Sequence, residues 1–334
     1  MDLVINQDGY FLGKRHNRFY VRYRTEENGT PSEHEDEFSA DNVRSILLHP
    51  RGSLSVGAIE LANEHYIDMA ILGRRNRPIA RIYPCSLTGA HLVRRQQLEA
   101  FADGRGLGIS RALESRKLRH QAALLKSLQK TREDVDFAGP ISEILFLSEK
   151  LDSGHALDAN QIMGFEGRGA ALYFASLGQI IPLQTRDPDS SEPANILLNY
   201  GYGVLYHEVE RACLLTGLDP YLGFLHADRP GKPSLALDLM EPFRPVIADR
   251  AVATLFAQKQ VEENWFESVE GEKPLALSQK GRQKILEQVL GRMNTEYTFK
   301  GVKRSWQNWI LETARSVARS LRGEKFEPVL WSGG

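Results

Sequence analysis

Three acidic residues and one histidine in the second half of the chain have the chemistry of a metal site. Glu166 lies in the segment FEGRGA, His226 ends the segment GLDPYLGFLH, and Asp238 and Glu241 are three residues apart in DLMEPFRP. Carboxylate oxygens and imidazole nitrogens are ligands for divalent cations such as Mg²⁺ and Mn²⁺. Asp238 and Glu241 stand among Leu, Met and Phe residues, and buried carboxylates require a cation or a proton.

Each of these residues also has an ordinary structural interpretation. Glu166 alone is typical of an exposed carboxylate on a helix, and a single histidine after an apolar run is typical of a core residue. Arg244 or Arg250 offers the carboxylates of Asp238 and Glu241 an alternative counter-ion. Taken one at a time, the four residues do not decide between a catalytic site and a packed interior.

The elements that must position these residues are predicted to be helices. Apolar spacing and the Pro and Gly residues at element ends predict helices over about 89–132 (interrupted by the glycines at 104, 106 and 108), 141–151, 161–177, 195–216, 234–258, 278–294 and 302–322. Asn160 is predicted to cap the helix of Glu166, and Pro193 to begin the next one. Gly167 and Gly169 inside a helix cost about 1 kcal/mol each, which a close backbone approach would explain.

The first 85 residues predict a different kind of structure. Alternating apolar residues predict strands in LVINQ, YFLGK, RFYVRYR, VRSILLH, IDMAIL and IARIYP, with turns at Asp8-Gly9 and RRNRP and one helix in SVGAIELANEHY. The acidic stretch ENGTPSEHEDEF is predicted to be a loop or the tip of a hairpin. The fold class is therefore α+β, with a small β-rich N-terminal domain (1–87) and a nearly all-α C-terminal catalytic domain (88–334).

Composition limits the class of protein. The 334 residues are 42% hydrophobic and 25% charged, which is ordinary for a globular protein of two domains. The two cysteines, Cys85 and Cys213, are too few for a disulfide framework and lie in no zinc-ligand pattern. Neither a signal peptide nor a long apolar run is present, so the expected location is cytoplasmic, with no membrane partner.

Charge is unevenly distributed, although the net charge is only −1. Residues 94–132 hold ten Lys and Arg against three acids, and residues 292–325 hold eight against three. Such runs attract phosphate backbones, but they are equally typical of solvated helix faces. The segment 26–41 holds seven acids and neither Lys nor Arg, and no role for it follows from the sequence.

Four segments in order resemble one known family. FEGRGA around Glu166, the run from Arg186 through PANILLNYGY, GLDPYLGFLH ending at His226, and DLMEPFRP occur in the order and spacing of the CRISPR-associated spacer-acquisition integrase, also called the universal adaptation endonuclease. Each motif is weak alone, but together they span about 80 residues. The β-rich N-terminal part, the segment GRRNRPIARIYP and the helical remainder are similar too, so the resemblance covers essentially the whole chain.

The resemblance implies a metal-dependent DNA integrase and endonuclease. Residue by residue, Glu166, His226 and Glu241 match the family's metal ligands, with Mg²⁺ or Mn²⁺ as the ion, and Glu241 stands where some members have Asp. Asp238 matches a further acid beside the site and is expected to have a supporting or second-metal role. The implied reaction is attack of the 3′-OH of a foreign DNA fragment on a phosphodiester at the border of a CRISPR repeat, and water in place of the 3′-OH gives DNA cleavage.

The resemblance also implies partners. They are protospacer and repeat DNA, a second copy of the chain joined through the N-terminal domains, and a small second adaptation protein that bridges two such homodimers. Two alternatives remain: a non-catalytic structural DNA-binding subunit of a defence complex, and an unrelated helical enzyme or scaffold with structural acids. Glu166 far from His226 and Glu241 would favour the latter.

Overall fold

The computed structural model describes residues 1–27, 30–73, 78–83, 90–132, 134–154, 157–226, 231–269 and 272–333. The chain divides into two compact units, Met1–Thr88 and Gly89–Gly334. Two stretches outside the described residues contain sequence predictions. Residues 74–77 include most of the predicted turn RRNRP, and residues 84–89 include Cys85 and the predicted domain boundary at residue 87. The dimerisation role of the N-terminal domain stays a prediction.

The N-terminal unit is built from two four-stranded sheets and helix α1. Its elements are β1 (Asp2–Ile5), β2 (Tyr10–Arg15), β3 (Arg18–Glu27), β4 (Thr30–Ser39), β5 (Ser45–Leu48), β6 (Gly52–Leu54), α1 (Val56–Glu64), β7 (Asp68–Leu72) and β8 (Pro78–Ile82). One sheet has the order β1-β5-β7-β8, in which β1, β5 and β7 are parallel, and the other has the order β4-β3-β2-β6. Apolar residues of both sheets and of α1 form one buried core.

The acidic stretch that was predicted to be a loop is mainly a strand. β4 pairs antiparallel with β3 so that Glu33 lies opposite Arg24 and Glu35 lies opposite Arg22. Arg15 of β2 also contacts Glu35, at 2.7 Å. Opposite charges facing each other across a strand pair stabilise the pairing. The loop prediction was wrong because it assumed that these acidic side chains are solvated, whereas they face the arginines of the neighbouring strands. Residues 28 and 29 lie outside the described part of the chain.

The C-terminal unit is mostly helical. Its helices are α2 (Ala90–Ala102), α3 (Arg105–Gln129), α4 (Ala138–Ser153), α5 (Ala159–Leu177), α6 (Pro193–Leu215), α7 (Ser234–Met240), α8 (Arg250–Ala257), α9 (Gln279–Asn294) and α10 (Trp306–Ser320). Two short hairpins, β9 (Phe266–Val269) with β10 (Glu272–Leu277) and β11 (Glu296–Phe299) with β12 (Val302–Ser305), were not predicted. The predicted α+β class, β-rich first and mostly helical after, is confirmed.

Several details of the helix predictions were wrong, among them the start of the predicted helix 302–322, where Val302–Ser305 is strand β12. The cap of α5 is Asp158, which accepts a hydrogen bond from the backbone N–H of Gln161 while the Gln161 side chain accepts one from the N–H of Asp158, so Asn160 lies inside the helix. The predicted helix 234–258 is broken after α7, because Pro242 disfavours continuation, and a π-helical segment, Arg244–Asp249, leads into α8.

α3 is the central helix of the C-terminal unit. It packs against α2, α4, α5, α7 and the π-helical segment, so its residues face each element that carries a predicted site residue. Asp103 and Gly104, the glycine at φ +81, separate α2 from α3, and the predicted interruptions at the glycines 106 and 108 are absent because both lie within α3. Among the described residues, none of the helices is long and apolar enough to cross a membrane.

Candidate metal and DNA-processing site

Asp238 fixes the loop that ends at His226. One oxygen of Asp238 accepts hydrogen bonds from the backbone N–H groups of Phe224 and Leu225, at 2.8 and 3.1 Å, and from the hydroxyl of Ser110 at 3.3 Å. The other accepts the backbone N–H of His226 at 3.2 Å and its ring Nδ1–H at 2.5 Å. Since Nδ1 carries the proton, Nε2 holds the lone pair that a metal ion needs.

Tight packing holds this loop in place. A Cβ atom on Gly106 would lie 2.1 Å from the ring of Phe224, and one on Gly223 would lie 2.6 Å from Ser234. The buried side chain of Gln97 donates to the carbonyl oxygens of Asp219 and Leu222 at 2.9 and 2.6 Å. The position of His226 is therefore set by its neighbours on α2, α3 and α7 and not by the loop alone.

The carboxylates of Glu166 and Glu241 meet at one cation. Nζ of Lys117, on α3, lies 2.5 Å from Oε1 of Glu166 and 2.5 Å from Oε2 of Glu241. It lies 3.6 Å from Oε2 of Glu114, one turn earlier on α3. Lys117, Glu114 and Glu241 are buried, whereas the side chain of Glu166 is 23% exposed. Residues far apart in sequence thus place two carboxylate oxygens around one positive charge.

Gly169 brings the helix of Glu166 against α3. A Cβ atom at this position would lie 2.4 Å from Cδ2 of Leu118, so a larger residue would force this leucine side chain to move. Leu118 is the neighbour of Lys117, and Gly169 follows Glu166 by one turn. The close approach predicted for the glycines of this helix is therefore found at Gly169, while a Cβ on Gly167 would meet nothing within 4 Å.

The charges around Glu241 keep it ionised. Burial acts to raise the pKa of Glu241, but the charges of Arg244 and Lys117 outweigh it and lower the pKa to about 2. Arg244 Nη2 lies 3.1 Å from Oε1 of Glu241, so the arginine predicted as an alternative counter-ion does contact this carboxylate. Burial raises the pKa of Glu114 to about 8, against the opposing charge of Lys117.

A buried polar layer supports Arg244. Its guanidinium lies 4.7 Å from the ring centroid of Tyr202, whose hydroxyl donates to Asp249 at 2.6 Å. Tyr173 donates to the same carboxylate at 2.8 Å. Arg186, the first residue of the second resemblance motif, also lies over the Tyr202 ring, 5.2 Å from its centroid. Tyr202 therefore contacts Arg244, which in turn contacts Glu241.

His120 ties the residue after Glu241 to the C-terminal segment. Its Nδ1–H donates to the carbonyl oxygen of Pro242 at 2.6 Å, and its Nε2 accepts the backbone N–H of Trp331 at 2.8 Å. The buried imidazole is therefore neutral, and each of its two ring nitrogens makes one hydrogen bond. Burial lowers the pKa of His120 to about 3.

His120 makes stability depend on pH. In the unfolded chain it titrates near pH 6.5, so between about pH 6.5 and 3 the unfolded state binds a proton that the folded state does not. Stability is therefore lost as the pH falls through this window, by up to about 1.4 kcal/mol per pH unit. We expect His120→Asn to be less stable at pH 7.5 but to show a shallower loss between pH 6.5 and 5, measured by urea unfolding. Parallel pH profiles for the two proteins would contradict this account.

The structure places all four predicted site residues in one region of the C-terminal unit. Glu166 and Glu241 share Lys117, Asp238 binds His226, and His226 lies within electrostatic reach of Glu241. Within the described part of the chain, however, no three His, Cys, Asp or Glu side chains are spaced to hold a metal ion together. The ammonium of Lys117 stands between the two glutamates instead. The donor types fit a divalent ion, and the glutamates are arranged around a cation.

Three residues of this region were not predicted from the sequence: Glu114, Lys117 and His120. They lie in the basic run 94–132, where an i, i+3 acid–base pair is an ordinary feature of an exposed helix. Their burial follows from the packing of α3, and the sequence carries no separate signal of it.

Several positive charges of the two basic runs, 94–132 and 292–325, are paired with other groups of the same chain. On α3, Lys117 is buried among carboxylates, Arg111 donates to the carbonyl oxygen of Gly154, and Arg119 pairs with Asp152. On and near α10, one acid, Glu312, contacts Arg304, Arg315 and Arg319. The positive charge available to a DNA backbone is therefore smaller than the sequence count.

Comparison with known proteins assigns the chain to a family. The family described as CRISPR associated protein Cas1 matches residues 3–290. This chain belongs to the Cas1 family. The CRISPR-associated endonuclease Cas1 1 of Pyrobaculum aerophilum is 34% identical over 247 residues, which are 73% of this chain and 79% of that protein. The CRISPR-associated endonuclease Cas1 1 of Archaeoglobus fulgidus is 29% identical, with 97% of each chain covered.

Solved structures agree with the Cas1 assignment. A casposase bound to an integration product is 25% identical, with a TM-score of 0.85 over 99% of this chain and 93% of that one. A Cas1 protein from Thermotoga maritima, 20% identical, has the same fold, with a TM-score of 0.76 over 97% of each chain. The resemblance stated from the motifs is confirmed, and the second of the two alternatives, an unrelated helical enzyme or scaffold, is excluded.

Proposed function

We propose that the chain is a divalent-metal-dependent DNA integrase and endonuclease of CRISPR adaptation. The observation that carries the proposal is the convergence of Glu166 and Glu241 on one cation position, beside a histidine whose Nε2 is kept free as a ligand. The names of the relatives support the activity: they are CRISPR-associated endonucleases, and the casposase was solved with an integration product.

Glu166, His226 and Glu241 would hold the ion, which the ligand types suggest is Mg²⁺ or Mn²⁺. When bound, such an ion neutralises charge on a phosphodiester and assists the departing oxygen. The chain's own residues prepare the site: Asp238 fixes the tautomer and direction of His226, and Arg244 keeps Glu241 ionised. Because both oxygens of Asp238 already accept hydrogen bonds, its supporting role is favoured over a second-metal role.

The reaction we propose is a transesterification. The 3′-OH of a DNA fragment loses its proton and forms a new P–O bond at the border of a repeat, while the P–O3′ bond of the strand at that border breaks and the departing 3′-oxygen takes up a proton to become a 3′-hydroxyl. Water in place of the 3′-OH cleaves DNA. Arg244, beside Glu241, contributes fixed positive charge next to the place where phosphate charge develops.

Partners are proposed on the same basis. The fold is shared with a Cas6-RT-Cas1 protein solved in complex with Cas2, at 16% identity and a TM-score of 0.77, and we propose a corresponding small second protein for this chain. Homodimer formation through the N-terminal unit and DNA binding by basic residues of 94–132 and 292–325 complete the proposal.

The test is strand transfer of a short duplex with free 3′-OH ends into a repeat-bearing plasmid. We expect joined products with Mn²⁺ or Mg²⁺, none after addition of EDTA, and recovery when the metal is restored in excess. Reactions with and without the partner protein show whether it is needed. DNA binding without joining or cleavage in any divalent metal would contradict the proposal and favour the non-catalytic DNA-binding subunit.

A further inference from the structure

Lys117 lies where the proposed ion would sit. Its ammonium contacts Glu166 of α5 and Glu241 of the turn after α7, both at 2.5 Å, although its own backbone belongs to α3. Its side chain is only 10% exposed. A buried ammonium is stable only when it is paired and hydrogen-bonded, and here the partners are the two carboxylates assigned to the metal. The same two carboxylates cannot hold Lys117 and a divalent ion at these distances together.

Glu114 offers Lys117 a second position. Oε2 of Glu114 is buried and makes no hydrogen bond to the described residues, and it lies 3.6 Å from the Lys117 ammonium. The two residues are three apart on α3, so a change of side-chain rotamer brings them into contact without movement of the helix. A buried oxygen without a hydrogen bond costs about 1–3 kcal/mol, and shortening this 3.6 Å ion pair to hydrogen-bond distance would remove that cost.

Electrostatic repulsion favours such a movement. The Lys117 ammonium lies at the position where Glu166 and Glu241 would hold the ion, and Glu114 lies 3.6 Å from it on the same helix. A divalent ion arriving between Glu166 and Glu241 repels an ammonium left beside it, and the repulsion between close charges is strong in a buried site. Glu114 is the acceptor within reach that is not assigned to the ion.

We propose that Lys117 is a tethered cation that holds the two glutamate ligands together without metal and moves to Glu114 when a divalent ion binds. Lys117 is then a positioning residue: it competes with the ion directly, and Glu114 lowers the penalty of displacing it. The inference rests on the proposed metal function and adds to it a residue pair that sets the affinity for the ion.

The test is Mn²⁺ binding to the full chain by isothermal titration calorimetry, with no DNA present. We expect Lys117→Met to bind Mn²⁺ about tenfold more tightly or better, a difference of about 1.4 kcal/mol, because no ammonium has to be displaced. Loss of packing alone would weaken binding and not strengthen it. The exposed Lys126, also on α3, provides the matched control, and Lys126→Met should bind as the natural chain does.

A second substitution separates displacement from simple charge repulsion. Glu114→Met removes the receiving oxygen and should weaken Mn²⁺ binding about fivefold when Lys117 is present, but by less than about twofold in Lys117→Met, a coupling typical of contacting residues. An equal effect in both backgrounds would overturn the movement to Glu114. If Lys117→Met does not fold, Glu114→Met in the natural background still decides: unchanged affinity overturns the proposal.

The outcomes also separate this inference from the proposed function. Mn²⁺ binding by the natural chain with no gain in Lys117→Met overturns the inference alone. Absence of Mn²⁺ binding in the natural chain and in every variant overturns the metal function and the inference with it. Thermal unfolding gives an independent measurement: Lys117→Met should melt at a lower temperature without metal and gain more from saturating Mn²⁺ than the natural chain gains.

Discussion

Glu166→Ala is expected to abolish metal-dependent strand transfer and DNA cleavage while leaving the fold intact. Glu166 is one of two carboxylates that meet at the cation position, and its loss removes a direct ligand. Loss of a residue that only supports a ligand costs about 10–100-fold, so a direct ligand should cost about a thousandfold. The loss of folding stability should be about 1 kcal/mol or less, because the Glu166 side chain is partly exposed and Lys117 retains its ion pair with Glu241.

Rates of joining and cleavage with Mn²⁺, together with thermal unfolding, measure this prediction. Glu149, an exposed acid on the neighbouring helix α4, is the matched control, and Glu149→Ala should retain activity within about twofold. Glu166→Asp should recover part of the rate at high Mn²⁺ concentration, since the carboxylate is kept on a shorter arm. Activity of Glu166→Ala close to that of the natural chain would remove Glu166 from the site.

The sequence predicted the architecture where the local signal and the packing agree. Strand alternation and helix punctuation located most elements of both units, and Pro193 begins α6 as expected. The predictions failed where the secondary structure of a segment depends on the segment that packs against it. The acids of β4 look like a solvated loop until the arginines of β3 are placed opposite them. The hairpins β9–β10 and β11–β12 are too short for alternation to separate them from loops and helix ends.

The site shows the same division. Motif order named Glu166, His226, Asp238 and Glu241, and the structure brings them into one region. Local sequence did not identify Lys117, because a lysine in a run of ten basic residues is typical of a DNA-facing surface. Its burial depends on three helices meeting, and one of those contacts depends on Gly169 lying against Leu118. Such a residue is found only when the tertiary packing is known.

Asp238→Asn is expected to lower both the affinity for Mn²⁺ and the rate of strand transfer about 100-fold. This effect is expected although Asp238 is not one of the three proposed ligands of the ion. The carboxylate accepts Nδ1–H of His226 at 2.5 Å and so leaves the lone pair on Nε2. An amide that turns its NH₂ toward the ring donates to Nδ1 instead, moves the ring proton to Nε2 and removes the ligand. Changes of this kind in residues that orient a histidine cost 10–100-fold or more.

Asp238→Ala should in addition lose about 3 kcal/mol of stability or more. Its carboxylate accepts the backbone N–H groups of Phe224, Leu225 and His226, and each buried donor left unpaired costs about 1–3 kcal/mol. Ser110→Ala is the matched control, since it removes one 3.3 Å hydrogen bond to Asp238 and leaves the contacts to the loop and ring unchanged. Calorimetric Mn²⁺ affinity and urea unfolding distinguish the two roles: Asn should lose mainly affinity, and Ala should lose both. If Asp238→Asn binds Mn²⁺ as tightly as Ser110→Ala does, Asp238 serves the loop alone, and the direction of His226 is set elsewhere.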